Sequence, residues 1–550
     1  MRKIMTIFFV IMFLGFISAF DGTINITLGK KPVIIESVGG ISVPDPGDKI
    51  NSLYFGVATY SEYDESGFLY TSDDQMDNLN DLGLGIERLT TDQVPIWINV
   101  QPTRTSNFNF TKYDDLYKRF TEQTGVKLFL TLRHYTYWDQ NQCHPDRVGP
   151  MYPCDMNLYL NYLNAVIERY DGDLDYGCSQ SAPDCYVVGD RQYPDWTALN
   201  QPSIKYWQLA NELGNINFWA DTPENYSILL NITYQTIKQL CSNCKLAIGG
   251  QASGAPTTDY YDIEVFYETM LKNATNPSFD IIDLHMYNKK GYYNLFNNRL
   301  SHYKTVLTEE GFNLNDIKFW STEMATFSGE FWDVVGYQTE EDQASELIKR
   351  YIEPFYLGVE SIHWGRILER GDECNLFAFH GLIHNPLAPE NCTGSPIGYG
   401  LNHKKLSYYT YKLLIEKLTN SSVNIEKNSS DNVYVYRFDK SGKPVYVVWW
   451  DWFEDIGESK NITLDLIGFP TNQAKITEAV PNSVDGSSLD LIDYPTFFNN
   501  YLLNLSTCHP ADDNKDGFVS ASEIRGYMEE WKQNTIGINE FMDAVKVWRG

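Results

Sequence analysis

The chain has 550 residues, 43% hydrophobic and 15% aromatic, a composition that excludes intrinsic disorder and can supply two or more cored domains. Its formal net charge of −29 argues against nucleic acid or an anionic membrane as a partner. The plain reading of that imbalance is solubility outside the cell.

In chain order, Arg2-Lys3, an apolar stretch from Ile4 to Ile17 and Ser18-Ala19 make a secretory signal over residues 1–19, cut after Ala19. The stretch is short for a spanning helix, so the mature protein is expected to be exported and soluble. Residues 20–49 contain candidate strands, Ile24–Leu28 and Pro32–Ile41, that could join a later β domain.

From residue 50 to 420, short apolar runs alternate with helical patterns. The runs are Tyr54–Ala58, Gly85–Leu89, Val126–Leu132, Ile204–Ala210, Leu246–Gly250, Phe279–Met286, Ile317–Ser321 and Val359–Trp364. Helical spacing falls at Met76–Leu82, Leu158–Tyr170, Tyr226–Leu240, Ile263–Leu271, Gln343–Tyr356 and Lys405–Leu418. Eight strands alternating with helices predict a (β/α)8 TIM barrel, and no fixed short period suggests a solenoid. The longest insertion, residues 139–203, follows the third strand, on the side where barrels shape a substrate cleft. The nine cysteines fall mostly in close pairs (Cys143/Cys154, Cys178/Cys185, Cys241/Cys244 and Cys374/Cys392), with Cys508 left over. In an exported chain these read as local disulfides. Cys241-Ser-Asn-Cys244 has no second half to make a zinc site. Sequons such as Asn109-Phe-Thr and Asn461-Ile-Thr are compatible with glycosylation.

After Leu418 the period becomes two, at Asn432–Phe438, Pro444–Trp450, Asn461–Leu466, Ala474–Val480 and Ser488–Ile492, predicting an antiparallel β-sandwich over residues 421–506. Residues 507–550 form a small α-helical EF-hand-like module. Asp512 to Glu523 match the calcium loop D-x-[DN]-x-[DN]-G-x5-E in full. A hard cation would take side chains of Asp512, Asn514 and Asp516, the carbonyl of Phe518 and a bidentate Glu523. Glu540-Phe541…Trp548-Arg549 echoes Glu523-Ile524…Trp531-Lys532 without the acidic ladder, so one structural Ca2+ is expected. The tail resembles dockerin modules, which implies a cohesin-like or cell-surface partner. Dockerins carry two calcium loops, so the missing second one sets this tail apart.

Two strings carry the chemistry. Asn211-Glu212 ends the run Tyr206–Ala210, and Glu323 ends Ile317–Thr322. Glycoside hydrolysis needs two carboxylates flanking one bond, and a glutamate at the C-terminal end of a barrel strand reads as catalytic. Either glutamate alone could be an ordinary ion-paired strand end; the pair argues otherwise. Glu212 is then the acid/base and must carry a proton. Glu323 is the nucleophile and must stay ionised, helped by Arg88 and the phenol of Tyr287. Asn211 suits the sugar 2-OH. His134, His285, Trp219, Trp332 and Trp364 are further candidate substrate contacts, as are Tyr135, Tyr137 and Trp138 after a strand end.

With Asn211-Glu212 on strand four, Glu323 on strand seven, Arg88 after strand two, His285-Met-Tyr287 after strand six and Trp364 ending strand eight, residues 50–500 resemble clan A glycoside hydrolases. Gly249-Gly250, Asp283-Leu-His-Met-Tyr287 and the trailing β domain look nearest to the xylosidase/iduronidase-type families. Tyr494-Pro495 is similar to the last strand of sandwiches beside such barrels, while Leu213 stands where many members have proline. The resemblance implies a secreted retaining β-glycosidase acting on poly- or oligosaccharides without a catalytic cofactor. The rival is an inactive barrel serving as a carbohydrate-binding or surface protein, disfavoured because both glutamates are present.

Overall fold

The computed structural model describes residues 20–39, 48–59, 72–146, 149–172, 202–252, 263–329, 338–369, 377–384, 403–451, 459–469, 471–482, 498–504 and 521–533. They form two compact units, one built on Ile50–Thr419 and the other on the described residues before and after it.

Two strands, β1 (Phe20–Leu28) and β2 (Val33–Ser37), precede the barrel. The barrel strands are β3 (Phe55–Thr59), β4 (Ile86–Leu89), β5 (Lys127–Leu132), β6 (Tyr206–Leu209), β7 (Lys245–Ala247), β8 (Ile281–Asp283), β9 (Met286–Tyr287), β10 (Lys318–Ala325) and β11 (Val359–Trp364). Each pairs in parallel with its neighbour, and β11 bonds both β3 and β10, which closes the sheet. β8 and β9 both lie on β10 and are two halves of one strand, interrupted at Leu284-His285, so the sheet has eight positions. Glu212 lies three residues beyond β6 and Glu323 inside β10, two residues before its end. Both had been expected directly at strand ends.

The strand period of two explains the interior. Ile86, Phe129, Ala247, Ile281 and Trp320 form one apolar cluster. Two residues further along the same strand faces stand Arg88, Asp283 and Thr322, so the interior turns polar towards the strands' C-terminal ends. Helices cover the outside, and three of them start at side-chain caps. Asp155 accepts from Asn157 N and Leu158 N ahead of Met156–Tyr170. Thr222 caps Pro223–Leu240, and Thr339 with Asp342 makes a capping box on Glu340–Tyr356. Thr111–Gln123 and Leu295–Glu309 are helices the sequence patterns had not marked. In the described part of the 139–203 insertion, Cys143 is bonded to Cys154, and the buried carboxylate of Asp139 accepts from the N–H groups of Cys154 (2.8 Å) and Asp155 (3.0 Å). Cys241 pairs with Cys244. The remaining five cysteines lie outside the described residues.

In the second unit, β12 (Glu426–Ser430), β13 (Val433–Lys440), β14 (Lys443–Trp450), β15 (Lys460–Phe469), β16 (Gln473–Glu478) and β17 (Asn500–Asn504) combine with the first two strands. The larger sheet runs β12-β13-β14-β2-β16-β17 and the smaller is β1-β15, all antiparallel. Ile24, Ile26 and Leu28 from β1 and Leu464 and Leu466 from β15 face Val33, Ile35, Val448 and Ile476 across one core. The six-stranded sheet thus has an N-terminal strand at its centre. Ser488–Ile492, Tyr494-Pro495, the leader 1–19, Asp512, Asn514, Asp516, Phe518 and the echo at 540–549 lie outside the described residues. Glu523 falls within the helix Ala521–Lys532. Among the described residues, no helix is long and apolar enough to cross a membrane.

Candidate active site

Arg88 is fully buried, and its guanidinium reaches Gln208, Asn211 and Glu323. Nε and Nη2 donate to Gln208 Oε1 (2.9 and 2.8 Å), Nη2 also to Asn211 Oδ1 (2.5 Å), and Nη1 to Glu323 Oε1 (2.5 Å). Gln208 passes the connection on, donating to Asp283 Oδ2 at 2.6 Å. Asp283 also accepts from Thr322 N (2.8 Å) and Thr322 Oγ1 (2.5 Å). His285 stands between the carboxylates: Nε2 is 3.1 Å from Asp283, Nδ1 is 3.0 Å from Glu212 Oε1, and Nδ1 is 3.7 Å from Glu323 Oε2. The phenol of Tyr287 donates to Glu323 Oε2 at 2.8 Å. One ligand atom each from Glu212, His285 and Glu323 lies within 4.8 Å of the others.

The local chain explains the convergence. Asp283, His285 and Tyr287 alternate along one strand and so share a face. Ala210 adopts the left-handed region (φ 60°), turning the chain directly before Asn211 and Glu212. A non-glycine residue held there is backbone strain of the kind that gathers at functional sites. Gly250 is dictated by contact, because a Cβ there would lie 2.0 Å from Nε2 of His285.

Electrostatics sets the protonation. Burial opposes a charge on His285, but Glu323 and Asp283 outweigh it and raise the imidazole to about 10. Burial likewise opposes ionisation of Asp283, yet His285, Arg88 and the Thr322 hydroxyl hold its carboxyl down at about 2. His363, deeper in the barrel, is driven to about 3 by burial and is neutral.

Six expected residues therefore meet: Arg88, Asn211, Glu212, His285, Tyr287 and Glu323. His134 lines a small neighbouring depression with Arg133, Tyr135, Pro150, Ala210, Asn211 and Phe218. Its Nε2 is 3.1 Å from Met151 O, and burial lowers it to about 4, so it is a neutral ring. The tryptophans depart from expectation. Trp219 is buried beside His134 (ring centroids 5.4 Å apart) and donates to Thr222 O. Trp364 is buried and donates to His380 O. Both are packing residues, because a stacking platform needs an open face. Trp332 lies outside the described residues. Exposed aromatic surface is found instead on Tyr137 (56%) and Phe377 (45%). Gln208, Asp283 and Thr322 were missed, although each is a polar residue at an alternating position of an apolar strand.

No protein-family model and no curated protein matches the sequence. Among solved structures the chain is similar to a glucosidase from Croceicoccus marinus at 11% identity, covering 86% of this chain and 83% of that one with a TM-score of 0.45. It is also similar to a GH39 β-xylosidase from Caulobacter crescentus (14%, 71% and 79%, TM-score 0.42) and an α-L-arabinofuranosidase from Thermotoga maritima (13%, 81% and 83%, TM-score 0.40). Likenesses this distant leave substrate and chemistry to be read from the site.

Proposed function

We propose that the protein is a secreted retaining glycoside hydrolase that cleaves β-glycosidic bonds of poly- or oligosaccharides. One observation carries this: the carboxylates of Glu212, just beyond β6, and Glu323, inside β10, have oxygens within 4.8 Å of each other, and Glu323 receives both an arginine and a phenol. Retaining enzymes hold the two carboxyls about 5–5.5 Å apart, whereas inverting ones leave about 6.5–9.5 Å for a water. Glu212 protonates the departing glycosidic oxygen while a Glu323 oxygen attacks the anomeric carbon, leaving a glycosyl ester on Glu323. Water then gives its proton to Glu212 and displaces the ester at the same carbon. Arg88 and Tyr287 offer donors to a carboxylate, which suits a nucleophile waiting in its charged form. Asn211, with its carbonyl engaged by Arg88, has its amide N–H groups to offer the sugar 2-OH.

The leader and the two disulfides support secretion. The tail is proposed to hold one structural Ca2+ through Asp512, Asn514, Asp516, Phe518 and Glu523, and to attach the enzyme to a cohesin-like or cell-surface partner.

The test is Glu323→Ala on an activated aryl glycoside. Turnover should vanish with the fold intact, and azide should restore it as a glycosyl azide of inverted configuration. Wild-type product formed with inversion, followed by NMR, would defeat the retaining mechanism.

A further inference from the structure

The Tyr287–Glu323 hydrogen bond is made by a phenol at the end of a two-residue strand, where the backbone alone does not fix the ring. Its surroundings form a slot. The His380 imidazole stacks on the Tyr287 ring, with centroids 4.8 Å apart and planes 8° from parallel. Phe377 meets Tyr287 edge-on at 5.2 Å and His380 at 5.5 Å. On another side is the backbone of Gly365, where a Cβ would lie 2.9 Å from Cε1 of Tyr287 and 3.0 Å from its hydroxyl.

The segment bearing His380 is itself tied down on both sides. The His380 carbonyl accepts from Trp364 Nε1 at 2.8 Å, and Gln343 Nε2 bonds the carbonyls of Phe379 and His380 at 3.3 Å each. Lys405 Nζ reaches Phe379 O at 3.2 Å. Ile383 bridges both Leu368 and Lys404, and His384 lies between Glu369 (3.2 Å) and Glu340 (2.8 Å). These ties act on the main chain and on residue 384. Nε2 of His380 has no hydrogen-bond partner among the described residues. Burial, reinforced by Arg366, Lys405 and Arg350, keeps the ring neutral. It meets Tyr287 as a flat, uncharged surface.

We infer that His380 is a positioning residue for the attack by Glu323, its ring holding the Tyr287 phenol on the nucleophile's oxygen. The inference rests on the hydrolase reading above. It requires a ring at position 380 and no proton chemistry there, which separates it from a catalytic histidine. A purely structural role would lower the melting temperature without a selective loss of rate.

The experiment compares the full-length wild type with His380→Leu, His380→Phe, Tyr287→Phe and the double variant Tyr287→Phe/His380→Leu on one aryl glycoside, with melting temperatures alongside. His380→Leu keeps apolar bulk but lacks a ring, and should lower kcat/KM about tenfold to a hundredfold, the scale of a small misplacement of a reacting group. KM should change little, because His380 is buried behind Tyr287 with almost no surface to offer a substrate. His380→Phe should recover most of the lost rate. The double variant should be no slower than Tyr287→Phe alone, as expected for residues acting as one unit. A His380→Leu enzyme as fast as wild type, a His380→Phe enzyme as slow as His380→Leu, or additive losses would each overturn the inference. Those results, in an enzyme whose Glu323→Ala variant azide rescues, leave the hydrolase reading standing. A wild-type chain inert on a broad glycoside panel removes both.

Discussion

A buried histidine beside the carboxylates of Glu323 and Asp283 acts as a fixed cation, and His285 is raised to about 10 on those grounds. Its unfolded value is lower, so its contribution to stability is complete below about pH 6.5 and is lost as pH rises towards 10. The melting temperature of the wild type should therefore fall across that window more steeply than that of His285→Gln, measured side by side in matched buffers. Parallel curves would show that His285 is not charged in the fold. Asp283 runs the other way: held at about 2, it stabilises above its ordinary range near 3.8 and loses that effect as pH falls through 2. Gly250→Ala tests the packing beneath. Its Cβ would sit 2.0 Å from Nε2, so the ring must leave Glu212 or the strand must shift. Overpacking of this kind costs about 1–3 kcal/mol, and hydrolysis should fall together with the melting temperature.

The loop between Cys143 and Cys154 shows how an element outside the barrel serves the site. It carries Met151, whose carbonyl meets His134 Nε2 (3.1 Å) and accepts from Gln140 (2.7 Å), and Pro150, which lines the depression beside His134. Replacing both cysteines with serine should cost about 2–3 kcal/mol by loop entropy. KM should rise severalfold while kcat changes less, because the catalytic carboxylates sit on other elements; steady-state kinetics would check this. Elements like this loop also mark the limit of what was legible. Barrel strands announce themselves because a strand buried on both faces must be a short apolar run, as in Lys127–Leu132. β12, with the sequence Glu-Lys-Asn-Ser-Ser, has no apolar residue and is held by β13, so no pattern could reveal it. Arg88, His285 and Tyr287 were readable only through the resemblance, which picked them out after strands two and six. Gln208 and Asp283 were not, because one polar residue in an apolar strand does not say which partner it meets across the barrel. Trp219 and Trp364 misled for a related reason: position after a strand end says nothing about which face of a ring is covered.

On the scale of the whole molecule, the second unit cannot be made from the C-terminal half alone. β2 lies between β14 and β16, and β1 supplies three core side chains against β15. Deleting residues 20–39 should leave that unit open to proteolysis at 426–504, and a resistant fragment of that span would contradict the shared core. Deleting 507–550, by contrast, should leave hydrolysis of small substrates nearly unchanged. In the full chain Asp516→Ala should abolish the calcium-binding heat in calorimetry; two equivalent sites in the wild type would refute a single ion.

The central place of β2 also sets a timetable for the nascent protein. Thr27 and Asn461, hydrogen-bonded across β1 and β15, are 434 positions apart. At about 5–20 residues per second, the earliest strands wait on the order of 20–90 seconds for their partners. Throughout that interval Ile24, Ile26, Ile34 and Ile35 are a sticky, unpaired ribbon, while the barrel between them and their partners has already been synthesised. Holding that ribbon apart from other chains until the ribosome finishes is a task for the cell's chaperones, set by the order in which this sequence is written.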